Sequence, residues 1–188
     1  MNSLGVQVGE GVNVLEGMAE VLAVSARLTD KVTQISIVTG NLYGSFALLA
    51  ANADFNFMLK DSCACYASPK VISAVSGKNL PQSEVGGAIS SKNNGISTFA
   101  VDTIEDVRNT VCDLFKVLPA FGGDVVDTED DLNRTAINLN EKVCPVCLKK
   151  AIFDDGKCIE LKKDYCPEVV TAIGRVGGIS VATLIFGG

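Results

Sequence analysis

The sequence predicts a mainly α-helical protein whose elongated protomer carries helical hairpins and is built for polymeric assembly. Apolar residues recur at three- and four-residue spacing near the N-terminus and again after residue 100. The apolar fraction is 47%, but aromatic residues contribute only 6% and Trp is absent. Small aliphatic side chains therefore supply most of the apolar surface, which suits closely packed helices. A cysteine-rich part ends the chain.

The first two predicted helices occupy the N-terminal third. Residues 10–27 carry an apolar stripe at helical spacing. Its members are Val12, Leu15, Met18, Ala19, Leu22 and Ala26. A second helix is predicted from Thr29 or Asp30 to about Leu59, with Gly40 and Gly44 inside it. Because an internal glycine costs roughly 1 kcal/mol against Ala, we expect another backbone to lie against this helix.

The middle of the chain, residues 61–100, is rich in Ser, Gly, Asn and Pro and is predicted to be irregular. Its short apolar runs at 71–72 and 99–101 fit either brief strands or packed loop. Because loops of this length are usually functional or interfacial, we expect this segment to have one of these two roles.

A helical hairpin is predicted after residue 100. In its first helix, Thr103 with Asp106, or Asp102 with Glu105, forms a capping-box start, and Pro119 ends the helix. One face of this helix carries Ile104, Val107, Val111, Leu114, Phe115 and Leu118. The second helix, residues 128–144, begins at Thr128 and carries Leu132, Ala136, Leu139 and Val143. Glycines 122 and 123 make the link a tight turn.

These elements divide the chain into an assembly region at 1–60, an irregular segment at 61–100 and a third part at 101–188. The third part combines the hairpin, the cysteines and an apolar C-terminal segment. Arg175 interrupts that last segment, so packing against protein is expected rather than a stable membrane span. The net charge of −6 argues against a nucleic-acid partner, which needs a cationic surface.

No catalytic grouping is visible in the side chains. The absence of His excludes Ser-His-Asp triads and the common zinc sites with His ligands. Asp154 and Asp155 fit a turn, and Glu129, Asp130 and Asp131 fit the start of a helix. No phosphate-binding GK[ST] loop and no GxSxG motif occurs. The prediction is therefore a protein that is not an enzyme and needs no cofactor.

The seven cysteines leave alternatives open. They are Cys63, Cys65, Cys112, Cys144, Cys147, Cys158 and Cys166. Cys144 and Cys147 form a CxxC pair that Cys158 and Cys166 would complete as a four-thiolate zinc site, although the second pair lacks CxxC spacing. A redox dithiol is a further option. The density of cysteines favours disulfides without bound metal, and their odd number leaves one thiol unpaired or joined to another chain.

The segment 29–53 resembles the RebB family, the subunits of bacterial R-bodies and of the related ejectisome ribbons of cryptophyte algae. The resemblance lies in "TDKVTQ" at 29–34 and in "GNLYGSFALLAANA" at 40–53. The spacer after Gln34 is shorter than is usual in that family, and Gly44 stands where a Gln often follows the Tyr.

The resemblance implies a structural protein that self-assembles into a coiled ribbon or filament and unrolls to do mechanical work. It implies a subunit interface formed by Asp30, Thr33, Gln34, Asn41, Leu42, Tyr43 and Asn52. The implied partners are further copies of the chain and related ribbon subunits.

The implied location is the lumen of an ejectisome vesicle, with release outside the cell on discharge. The bacterial cytoplasm is the alternative. Because no targeting signal is visible at the N-terminus, the vesicle location requires a processed form.

Two other interpretations remain. The segment 29–53 also fits a core helix of a monomeric bundle. Alternatively, the protein is a soluble zinc- or thiol-dependent binding module centred on residues 144–166.

Overall fold

The computed structural model describes residues 1–119, 125–133 and 144–186. Its helices are α1 Val12–Leu28, α2 Ser45–Ala51, α3 Pro69–Ser76, α4 Gln82–Gly86, α5 Ala88–Asn93, α6 Ile104–Val117 and α7 Pro145–Ile152. Its strands are β1 Ile35–Val38, β2 Asn41–Tyr43, β3 Phe55–Leu59, β4 Cys63–Cys65, β5 Phe99–Val101, β6 Cys158–Leu161, β7 Val169–Val176 and β8 Ile179–Phe186. Helices and strands alternate, so the predicted mainly helical class is wrong and the fold is α/β.

The chain packs into two compact units, Met1–Val107 and Arg108–Gly188. That division follows packing, whereas the three predicted parts follow composition, and those parts remain a prediction.

The first unit is built on parallel strands. β1, β3 and β5 form one sheet in the order β1-β3-β5, and β2 pairs with β4 in a second sheet. Phe57 of β3 is fully buried and stacks on Phe99 of β5, with ring centroids 4.7 Å apart. The buried Ser36 and Asn56 side chains both donate to the carbonyl of Ala50 at the end of α2, at 2.8 and 2.9 Å. These bonds fix α2 against the sheet.

The long helix predicted from about residue 29 to residue 59 is replaced by β1, β2, α2 and β3. The apolar run misleads because parallel strands that are covered on both faces read as continuous hydrophobic stretches. Gly44 has φ 78°, outside the helical range, and therefore separates β2 from α2. At Gly40 the expected close neighbour exists, since an added Cβ would lie 2.8 Å from Asn2 Cγ. That neighbour belongs to an extended segment rather than to a second helix.

The middle segment is not irregular, because it contains β4, three helices and β5. The hydroxyl of Ser68 accepts the N–H of Val71 at 3.4 Å, and Gly77 ends α3 in the left-handed conformation. Residues 71–72 therefore lie in a helix, whereas the run at 99–101 forms a strand.

Two of the predicted helices are present: the first helix of the chain and the helix that follows residue 100. α1 covers the first predicted stripe, and α6 starts with the predicted capping box. Thr103 Oγ1 accepts the N–H of Asp106 at 3.1 Å, and the Asp106 carboxylate accepts the N–H of Thr103 at 2.9 Å. Residues 128–133 are not helical. The rest of the predicted second helix and the 122–123 turn lie outside the described residues.

The second unit contains an antiparallel sheet in the order β6-β7-β8. Gly177 and Gly178, with φ of 58° and 76°, turn the chain between β7 and β8, and their N–H groups donate to the Asp154 carboxylate at 2.8 Å each. The apolar C-terminal segment is thus a hairpin that packs on the fully buried Phe153. Among the described residues, every helix is too short or too polar to cross a bilayer.

Candidate active site

Three parallel strand segments end at one edge of the first unit. The N-terminal residues run beside β2: Ser3 donates its N–H to Asn41 O at 2.7 Å and accepts the N–H of Tyr43 at 2.9 Å. On its other side β2 pairs with β4, with Tyr43 opposite Cys65. The carboxyl ends of all three segments therefore meet at Ser3, Tyr43 and Cys65. In α/β sheets this edge is the usual place for ligands.

Gly44 forms the turn that leads from this edge into α2. Its φ of 78° and ψ of −148° are accessible to glycine and strained for other residues. The Gly44 N–H donates to Cys65 O at 3.2 Å and to Tyr66 O at 3.0 Å, which ties the turn to the end of β4. No heavy atom lies within 4 Å of where a Cβ would stand. Conformation, rather than lack of space, therefore explains the glycine.

The same turn presents backbone donors without protein partners. Gly44 has no side chain to cap α2, and the first N–H that folds back onto the turn is that of Ala47, which donates to Gly44 O at 3.0 Å. No hydrogen bond within the described residues takes up the N–H groups of Ser45 and Phe46. Two adjacent backbone donors beside open space are suited to hold an oxygen that carries negative charge.

Tyr43, Cys63 and Cys65 form a protonated cluster behind this edge. The two thiol sulfurs lie 3.9 Å apart, and Cys63 is fully buried. Burial is the main cause that raises the pKa of Tyr43 and of Cys63, and it raises the pKa of Cys65 to about 12. Because the thiolate is the nucleophilic form of cysteine, these residues act as packing and not as nucleophiles near neutral pH.

A separate cleft of about 250 Å³ lies beside the amino end of β4 and so does not adjoin Gly44. It is lined by Lys60, Asp61, Ser62, Gln82, Ser83, Gly87, Ala88 and Ile89. The Ser62 hydroxyl is buried and makes no hydrogen bond within the described residues. Lys60 and Asp61 place opposite charges at the cleft. The strand edge at Gly44 remains the better candidate because it presents two donors side by side.

The residues predicted to form a ribbon interface lie in several places. Asp30 is exposed in the turn after α1, with φ 63°, and Thr33 is also exposed. Gln34 joins α1 to β1, since its amide nitrogen donates to Ser25 O at 3.1 Å and its amide oxygen accepts the Ser25 hydroxyl at 2.6 Å. Asn52 is exposed at the end of α2.

The three predicted residues on β2 have internal roles. Asn41 accepts a hydrogen bond from the Gln82 amide, Leu42 is buried in the core, and Tyr43 covers the buried thiols. Of the predicted set, Tyr43 alone directly precedes the Gly44 turn.

The sequence interpretation missed the turn because it placed Gly44 inside a helix. A glycine between a short apolar run and a helix of small residues was the available signal.

All seven cysteines lie in the described ranges. Cys112, Cys144 and Cys147 are exposed, and Cys158 and Cys166 are partly buried. The described residues contain no group of three or more Cys, Asp or Glu arranged to hold a metal ion. The disulfides expected from cysteine density stay a prediction.

Comparison with known proteins identifies the family. The carboxyl transferase domain pattern matches residues 1–184. The carboxyltransferase subunit of propionyl-CoA carboxylase from Haloferax mediterranei is 29% identical over 194 residues, which cover 96% of this chain and 37% of that protein. The methylmalonyl-CoA carboxyltransferase 12S subunit from Propionibacterium freudenreichii is 27% identical and covers 96% of this chain and 36% of its own length.

The fold gives the same result. A crystal structure of transcarboxylase 12S, described as a hexamer assembly, superposes with a TM-score of 0.90 at 24% identity. The superposition covers all of this chain and 39% of that one. The chain thus spans little more than a third of the length of the relatives that it matches.

These matches overturn the RebB resemblance and the predictions that depended on it. The relatives are named as enzymes, so the prediction of a non-enzymatic ribbon protein is wrong. The homopolymer partners and the ejectisome location lose their basis, and the matches give no support to the zinc- or thiol-dependent module. The segment that suggested a ribbon interface instead forms β1, β2 and the short helix α2 within the first unit. The chain belongs to the carboxyl transferase domain family.

Proposed function

We propose that this chain takes part in carboxyl transfer to or from a short acyl-CoA thioester. The Gly44 turn supports this proposal most directly, because Ser45 and Phe46 offer adjacent N–H groups at the carboxyl edge of parallel strands. The names of the relatives, which include propionyl-CoA and methylmalonyl-CoA enzymes, supply the substrate class.

The chemistry explains why such donors are needed. When a carboxyl group leaves or joins the carbon next to a thioester, that carbon passes through a carbanion whose charge spreads onto the thioester oxygen. Donors aimed at that oxygen stabilise the charge as it develops, and loss of one such donor typically slows catalysis about 10²–10³-fold. In the proposed site, the N–H groups of Ser45 and Phe46 hold the oxygen, and the open space at Gly44 lets it approach.

The surroundings of the turn suit an apolar acyl chain. Leu4 directly follows Ser3 at the same edge and is 76% exposed. An apolar side chain there offers cover to the alkyl part of a propionyl or methylmalonyl group. The exposed Tyr66, next to the carbonyls that fix Gly44, provides a second surface for the thioester.

The exposed surface of α1 indicates that this site works within a larger carboxyl transferase assembly. Of the 17 residues in α1 only Met18 is buried, whereas Val12, Leu15 and Val24 are exposed by 75, 66 and 49%. A helix with apolar residues this exposed is typical of one that another protein surface covers. The proposed partner is a further carboxyl transferase subunit, since a transcarboxylase 12S structure that resembles this chain is described as a hexamer assembly.

The proposal is tested by comparing propionyl-CoA with the thioether S-propyl-CoA in isothermal titration calorimetry. The thioether keeps the nucleotide and the alkyl chain but lacks the carbonyl oxygen. Two neutral hydrogen bonds of about 0.5–1.5 kcal/mol each predict that the thioester binds roughly 5- to 100-fold more tightly. Carboxyl release from methylmalonyl-CoA is measured in parallel.

The control is unacylated CoA, which reports binding through the nucleotide alone. Equal affinity for the thioester and the thioether would refute a carbonyl site at the Gly44 turn. Absence of binding to all three compounds, together with absence of carboxyl release, would refute the proposed function for this chain.

A further inference from the structure

Helix α7 begins with two exposed cysteines on one turn. Cys144 is the N-cap residue, with an extended backbone at φ −67° and ψ 129°, and Pro145 follows it as the first helical residue. Cys147 is the third helical residue. The two cysteines therefore occupy the N-cap and the third helical position, the two positions that a capping box uses, on the first turn of the helix.

The spacing suits a bond between the two sulfurs. Residues three apart in a helix have Cβ atoms about 5–6 Å apart, whereas a disulfide needs about 3.5–4.5 Å. Closing this gap requires a backbone rotation at Cys144, whose dihedral angles at the N-cap are already non-helical, so the rotation lies outside α7.

The chain contains a contrasting pair. The sulfurs of Cys63 and Cys65 lie 3.9 Å apart, but Cys63 is fully buried, and burial raises the pKa of both thiols. An oxidant in solution therefore reaches the exposed pair on α7 more readily than the pair on β4, where Cys63 is buried and Cys65 is partly buried. Since the described residues assemble no group of three metal-binding side chains, a dithiol fits the α7 pair better than a zinc site.

We propose that Cys144 and Cys147 form a redox-active dithiol that glutathione disulfide, or a disulfide of similar size, converts to an intramolecular disulfide. One cysteine thiolate attacks glutathione disulfide, forms a mixed disulfide and releases one glutathione thiolate. The second cysteine thiolate then attacks the protein sulfur and releases the other glutathione. Two protein thiols are oxidised, one glutathione disulfide is reduced to two thiols, and the two protons pass to the released glutathione.

The test equilibrates the full chain with mixtures of reduced glutathione and glutathione disulfide and then blocks remaining thiols with N-ethylmaleimide. Mass spectrometry follows the peptide that contains both cysteines. We expect the doubly alkylated peptide to give way to a form that lacks two hydrogens as the disulfide fraction rises, and to return with excess reduced glutathione. Cys63 and Cys65 should stay as thiols throughout, and Cys112→Ser, which removes an exposed cysteine on α6, should leave the transition unchanged.

Single variants test the two-step route. Cys147→Ser should accumulate glutathione on Cys144, because the second attack is lost. The proposal fails if the peptide stays doubly alkylated even in pure glutathione disulfide, or if Cys147→Ser binds no more glutathione than the unchanged chain. It also fails if Cys144 or Cys147 pairs chiefly with Cys158 or Cys166, or if the reduced protein holds one equivalent of zinc that each single variant loses.

Discussion

Replacing Gly44 by Ala tests the candidate site, because the mutation changes the backbone of the turn and nothing else nearby. A Cβ at this position meets no heavy atom within 4 Å, so the substitution causes no clash. The φ of 78° with ψ of −148° is instead strained for alanine, at a cost of about 1–3 kcal/mol.

The strain has two possible consequences, and both are measurable. If the turn keeps its geometry, the free energy of unfolding falls by about 1–3 kcal/mol, and the affinity for the thioester is unchanged. If the turn relaxes to negative φ, the N–H groups of Ser45 and Phe46 change direction. The ratio of the affinity for propionyl-CoA to the affinity for S-propyl-CoA then falls by about tenfold. The rate of carboxyl transfer falls about 10²–10³-fold for each donor lost.

The assays are urea unfolding followed by circular dichroism and calorimetric titration with both CoA compounds. Gly17→Ala is the matched control, since Gly17 lies in α1 with open space around it and no positive φ. It should stabilise the protein by about 0.5–1 kcal/mol and leave thioester binding unchanged. A Gly44→Ala protein with unchanged stability and unchanged preference for the thioester would refute the assigned role of the turn.

Three further predictions concern packing, capping and pH. Gly174→Ala should lower the free energy of unfolding by about 1–3 kcal/mol in urea titrations, because the new Cβ would lie 2.4 Å from Phe153 Cδ1. The double variant Gly174→Ala with Phe153→Leu should lose less free energy of unfolding than the sum of the two single variants, because the smaller side chain makes room for the new Cβ. A loss equal to that sum would contradict the contact. Thr103→Ala and Asp106→Ala should each cost about 1 kcal/mol by thermal unfolding, and the double variant should cost less than the sum. The folded-state pKa of the Cys65 thiol is raised from 9.0 to about 12, so its contribution to stability is present below pH 9 and is lost as pH rises towards 12. In the Cys65→Ala variant the free energy of unfolding should decrease less between pH 9 and pH 12. A pH profile identical to that of the unchanged chain would contradict the raised pKa of Cys65.

The sequence was informative for α1 and α6, where local signals decide the structure. The apolar stripe around Met18 and the paired caps Thr103 and Asp106 predicted α1 and α6, because a helix makes its hydrogen bonds within a few residues. The strands depend on distant partners instead: Ile35 pairs with Phe55, and Phe57 with Phe99. Short buried strands show no alternation of polar and apolar residues, so the segment from Thr29 or Asp30 to about Leu59 is predicted as one helix.

The false family resemblance has a similar physical origin. Small and amide residues around Asn41 and Tyr43 were interpreted as a helix surface that packs against neighbouring subunits. The structure uses the same residue types to bring the N-terminal segment and helix α4 close to β2, since Gly40 stands against Asn2 and Asn41 accepts a hydrogen bond from Gln82. A short match of small residues therefore does not distinguish a ribbon interface from the interior of an α/β sheet.

The prediction that the chain is not an enzyme shows what an absence of side-chain motifs can exclude. A chain without His contains no Ser-His-Asp triad, and that conclusion holds. Stabilising a carbanion through its oxygen, however, requires donors, and the backbone supplies a donor at every residue other than proline. Such donors become a site where a turn leaves them unpaired beside open space, as Gly44 does for Ser45 and Phe46. Backbone donors leave no mark in composition or motif, so a site built from them is found through dihedral angles and strand order.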